Sequence, residues 1–65
     1  MKYRIEIWQY HNMTESYESD NIDNVLQWYK VNWRCCYELD GCTFYLYKDG
    51  IELSWNEEYR LGFHA

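Results

Sequence analysis

Asp40-Gly41-Cys42-Thr43-Phe44-Tyr45-Leu46-Tyr47-Lys48-Asp49-Gly50-Ile51-Glu52-Leu53 decides the fold class of this 65-residue chain. Asp-Gly tolerates the positive φ angles that two-residue hairpin turns require. A turn at 40–41 sets Leu39 against Cys42, Tyr37 against Phe44 and Cys35 against Leu46. A turn at 49–50 sets Leu46 against Leu53 and Phe44 against Trp55. Both registers put the same apolar residues on one face, so the two hairpins support each other. Beyond them, a three-residue turn at Asn56-Glu57-Glu58 would add a strand that sets Trp55 against Tyr59 and Leu53 against Leu61. Ser54-x-x-Glu57 is equally the signature of a capped helical turn.

Upstream, Lys2 to Tyr10 alternates, with Tyr3, Ile5 and Ile7 on one face and Lys2, Arg4, Glu6 and Trp8 on the other. Period two predicts a half-buried strand. His11 to Ser19 is polar and unpatterned, and reads as a loop. Ser19 or Asp20 can cap a following helix, and Asp23 adds negative charge where the helix dipole is positive. Ile22, Val25, Leu26, Tyr29 and Trp33 fall on one stripe, which predicts a helix from about Asn21 to Trp33. The expected architecture is α+β: β-α-β-β-β with an optional last strand, an antiparallel sheet and one helix packed on one face. Residues 1–65 read as a single domain.

Composition excludes several classes. With 48% hydrophobic residues and 22% aromatics, from four tryptophans, eight tyrosines and two phenylalanines, the chain is far too rich in core formers to be disordered. No apolar run can span a bilayer, and Met1-Lys2-Tyr3-Arg4 is not the start of a signal peptide. Eleven acids against six bases, net −5, oppose a direct grip on nucleic acid or on an anionic membrane. Cys35, Cys36 and Cys42 are an odd set, which implies free thiols and a cytoplasmic setting.

Residues outside the core are the candidates for function. Trp28 and Val31 lie off the helix stripe, so Trp28 is covered either by the segment 11–19 or by a partner. The outward sheet face carries Cys36, Glu38, Thr43, Tyr45, Tyr47, Glu52 and Ser54. Tyrosines among carboxylates there suit either a protein-binding surface or plain cross-strand stabilisation. Glu15, Tyr17, Glu18, Asp20 and Asp23 form an acidic segment without a base, readable as a steering patch for a basic partner or as a solvated helix approach.

Catalysis finds little support. His11 and His64 are the only imidazoles, and nothing fixes either beside Cys36. Cys35-Cys36-x5-Cys42 lacks the spacing that converges two ligands on zinc. No glycine-rich phosphate loop is present. No enzyme activity, cofactor or metal is expected.

In its general character (short, acidic, aromatic-rich) the chain resembles the small bacteriophage and mobile-element proteins that inhibit host defence, such as anti-CRISPR and anti-restriction proteins. That resemblance rests on no motif and transfers no residue role. It implies a non-enzymatic inhibitor that covers a basic site on a nucleic-acid-handling host complex, in the host cytoplasm, in some cases by imitating DNA. Lys2, Arg4, Lys30 and Arg34 depart from the uniform acidity of strong mimics. In that reading Glu15, Tyr17, Glu18, Asp20, Asp23, Trp28, Tyr45, Tyr47 and Glu52 contact the partner. The alternative is a structural or assembly module that homodimerises through its aromatic sheet face.

Overall fold

The computed structural model describes residues 2–36 and 41–64. The alternation at the start becomes β1, Tyr3–Gln9, with Ile5 and Ile7 fully buried. The segment expected to be a loop is instead β2, Asn12–Ser19, paired antiparallel with β1 from Gln9↔Asn12 to Tyr3↔Ser19. Its turn is Tyr10-His11, and Tyr10 adopts a φ of 57° without being glycine, which hides the turn from a reading by turn residues. β2 also has no buried face to impose period two, since only Tyr17 and Ser19 are even half-buried.

Helix α1, Ile22–Cys36, carries the expected stripe. Val25 is fully buried in one cluster with Ile5, Leu46, Leu53 and Phe63, and Ile22, Leu26, Trp28 and Tyr29 pack against that cluster. The cap is Asn21, not Ser19 or Asp20: its Oδ1 accepts from the Asp23 amide at 2.9 Å. Ser19 Oγ instead accepts from the Asn21 amide at 3.1 Å. The helix continues past Trp33, so Cys35 and Cys36 are helical and do not open a strand. No glycine or proline lies between Ile22 and Gly41 to stop it earlier. Residues 37–40, where the strand 35–39 and the first half of the Asp40-Gly41 turn were expected, lie outside the described residues, as does Glu38.

β3, Cys42–Lys48, pairs with β1: Ile5 faces Leu46 and Ile7 faces Phe44. The alternation of β1 matches that of β3 over seven residues. The second hairpin is as expected. Asp49 and Gly50 both have positive φ, at 53° and 82°. β4, Ile51–Glu52, follows with Lys48↔Ile51 and Tyr47↔Glu52, and Leu53 donates to the Leu46 carbonyl at 2.8 Å. The sheet order is β2-β1-β3-β4, all antiparallel. The protein is thus α+β, but its element order is β-β-α-β-β-α.

The last segment takes the capped alternative. α2, Trp55–Arg60, is capped by Ser54, whose Oγ accepts from the Glu57 amide and lies 3.3 Å from Glu57 Oε1. Gly62, at a φ of 94°, ends it: the Gly62 and Phe63 amides donate to the Tyr59 and Glu58 carbonyls, a Schellman arrangement. That turn drives Phe63 into the core. Trp55 and Tyr59, expected on an inner sheet face, stack on each other at 5.4 Å on the outside of α2. Around Phe44 an aromatic cluster forms, with Tyr29 at 4.8 Å and Trp33 at 5.3 Å. Burial, and secondarily the nearby Glu58 charge, pushes the Tyr29 hydroxyl pKa up.

Candidate functional site

Strand register assembles the outward sheet face in rows. Glu18, Arg4, Tyr47 and Glu52 stand side by side across all four strands, then Ser16, Glu6 and Tyr45, then Met13, Trp8 and Thr43. None of Arg4, Glu6, Trp8, Tyr45 or Tyr47 belongs to the cluster against which the α1 residues pack. The contacts of this face run within it. Arg4 Nε donates to Glu6 Oε2 at 2.8 Å, Arg4 Nη1 to Glu18 Oε1 at 2.9 Å, and Trp8 Nε1 to Glu6 Oε1 at 3.1 Å. Lys2 Nζ reaches Glu18 Oε2 at 3.6 Å. Trp8 meets Tyr45 edge-to-face at 6.3 Å.

This network sets the electrostatics. The Arg4 guanidinium first, with the Trp8 and Tyr47 donors, holds the Glu6 carboxyl below its usual range, while the Arg4 pKa is raised in return. Burial, then the Glu6 charge, pushes the Tyr47 hydroxyl up. Beside these residues lies an open groove of about 650 Å³, lined by Lys2, Arg4, Glu6, Glu18, Tyr47, Asp49 and Gly50. Its two cations are already engaged by carboxylates, so the groove has little to offer an anion.

A pH dependence follows. Glu6 has a depressed pKa in the fold, so its contribution to stability is complete above the ordinary glutamate range and is lost as pH falls through the folded value. Denaturation midpoints measured from neutral pH to below about pH 4 should therefore fall in the wild type and fall less steeply in Glu6→Gln. Equal acid slopes in the two proteins would show that the Arg4–Glu6–Trp8 contacts carry no stability.

The residues singled out from the sequence divide into two surfaces. Tyr45, Tyr47, Glu18 and Glu52 share the outward face, where Tyr45 and Glu52 are exposed and Tyr47 is half-buried. Glu15 lies exposed on β2, Asp20 at the corner after it, and Asp23 in the first turn of α1. Among the described residues none of these three carboxylates forms an ion pair, whereas Glu18 is held by Arg4 and Lys2. Tyr17 and Trp28 belong to neither surface. Their rings stack at 5.5 Å and 8°, so segment 11–19 does cover Trp28. Both side chains are half-buried against the core.

Two features were missed from the sequence. Arg4 and Glu6 stand two apart on one strand face, a spacing that could have suggested their pairing. The other is at the carboxyl end, where His64 Nε2 lies 2.9 Å from Glu58 Oε1 and its ring stacks on Trp55 at 5.0 Å. Only the Schellman turn at Gly62 brings those residues together. Among the described residues no group of three or more His, Cys, Asp or Glu is placed to hold a metal ion, and no helix is long and apolar enough to cross a membrane. Comparison with protein-family models, with curated proteins and with solved structures finds no match to the chain.

Proposed function

We propose that this chain is a non-enzymatic binding protein that covers a basic site on a larger protein, in the manner of the host-defence inhibitors it resembles. The partner class is a nucleic-acid-handling complex, and the site of action is the cytoplasm of the cell that contains it. The observation that carries this reading is the outward sheet face, where Tyr45 stands in a row with Glu6, Tyr47 in a row with Glu18 and Glu52, and the Trp8 indole donates to Glu6. Aromatics with polar tips supply contact area at low entropic cost, and such residues dominate the energetics of protein interfaces. The bases that would favour nucleic acid are occupied on this same face, since Arg4 and Lys2 are paired to Glu6 and Glu18. Uncompensated charge is left to Glu15, Asp20 and Asp23 along the adjoining edge, where it speeds encounter with a positive surface.

The test is affinity capture from a lysate of the source cell, repeated with the Tyr45→Ser/Tyr47→Ser variant. Both tyrosines sit outside the core cluster, so the variant is expected to fold. Capture of one protein with a Lys/Arg-rich contact surface, reduced at least tenfold by the variant, is the expected outcome. Equal capture by both forms would remove the sheet face from the interface.

A further inference from the structure

We infer that the free edge of β2 takes up an extended, basic segment of the partner as a fifth strand of the sheet. This rests on the proposal that the partner is basic and names how it is held. β2 is a sheet edge, since the order β2-β1-β3-β4 leaves one of its sides without a strand among the described residues. On that side alternate backbone N–H and C=O groups along Asn12–Ser19 face away from β1, a ready template for another chain. The opposite edge is unlike it: β4 is two residues long and the chain then turns into α2.

Several features hold β2 in place before anything binds. It makes seven residue pairings with β1. Thr14 Oγ1 donates to the Ile7 carbonyl at 3.1 Å, next to the one irregularity in that pairing, and Tyr17 is stacked on Trp28. An incoming strand therefore orders little of this protein, which lowers the entropic cost of binding.

Charge selects the occupant. Natural edges are commonly protected by proline, lysine or a bulge; β2 has no proline or lysine, and its one irregularity lies at Thr14, which leaves Glu15–Ser19 in regular pairing with β1. It has Glu15 and Glu18, with Asp20 just beyond, and there is no base from His11 to Tyr29. A second copy would bring the same acids against themselves and is disfavoured. Glu15 stands on the face of Ile7 and forms no ion pair among the described residues, whereas Glu18 stands on the opposite face and is held by Arg4 and Lys2. A strand carrying Lys or Arg at alternate positions sets its row of charges on one face, beside Glu15, at the separation of cross-strand pairs.

Three acetylated, amidated octapeptides test this against the isotopically labelled full chain by NMR: alternating Lys-Val, the same Lys-Val peptide N-methylated at every residue, and alternating Glu-Val. The first two have the same charge and side chains, but the N-methylated peptide has no residue N–H on either edge to donate to a ladder. The expected result is that Lys-Val alone shifts the amides of residues 12–19 and slows their exchange. Glu15→Lys/Asp20→Lys, which alters only exposed carboxylates, should weaken that binding about tenfold. Equal binding of Lys-Val and its N-methylated form, shifts confined to the Tyr45–Tyr47 face, or no shift with Lys-Val at all would each overturn strand addition. Capture of a basic partner that depends on Tyr45 and Tyr47 would still stand after any of these. A captured partner without a basic surface would remove the parent proposal instead.

Discussion

Leu46→Ala should leave the chain largely unfolded at physiological temperature. Leu46 is fully buried in the centre of the sheet, opposite Ile5 and bonded through its carbonyl to Leu53, within the cluster that includes Val25 and Phe63. Removing a buried leucine's methyl groups costs about 2–5 kcal/mol, from lost transfer energy and the cavity left behind. A domain of this size has a total stability of only about 3–5 kcal/mol from its core. The fully buried aliphatic residues Ile5, Ile7, Val25 and Leu46 are too few to compensate. Urea denaturation followed by tryptophan fluorescence should show the cooperative transition nearly abolished, and Leu46→Met should retain it. A midpoint shift worth less than about 1 kcal/mol would mean that the core is not centred on Leu46.

Asp20→Lys/Asp23→Lys should slow association with the basic partner about tenfold at low salt, with the difference closing as salt rises. Both carboxylates are exposed and neither forms an ion pair among the described residues, so their field acts outward. Asp23 also lies in the first turn of α1, and reversing its charge costs the helix only about 0.3–1 kcal/mol, which does not unfold it. Stopped-flow or surface-based kinetics across a salt series separates the two effects. Unchanged association rates at both low and high salt would show that these acids do not steer.

What was legible in the sequence had a local physical cause. Ile5 and Ile7 alternate with polar residues because one side of β1 is buried, and the stripe from Ile22 to Trp33 repeats because one side of α1 is. Asp49-Gly50 needed only two positive φ angles. Ser54 and Glu57 marked the start of α2 as one of two readings, and the helix prevails because their side chains satisfy its first amides. β2 was not legible because it is mostly exposed, with only Tyr17 and Ser19 half-buried, too few to impose an apolar alternation. Its turn at Tyr10-His11 carries no glycine either.

The errors that followed share that origin. Without β2, the sequence offers a neighbour for β3 only at 35–39, and of those residues Cys35 and Cys36 prolong α1. Trp28 could be given either a partner or a cover, and the cover is Tyr17 from the unread strand. For the same reason the Arg4–Glu18 pair was invisible, since only the β1–β2 register brings residues fourteen apart in sequence together. The tyrosines of the outward face were legible because alternation within β3 alone orients them.

Hydrogen–deuterium exchange on the complex with the captured partner tests the binding-protein reading most directly. The predicted result is slowed exchange in β2 and β3 of this chain and over a Lys/Arg-rich surface of the partner. Protection confined to α2 or to the side of α1 around Val31, or a contact surface on the partner without a basic excess, would contradict it.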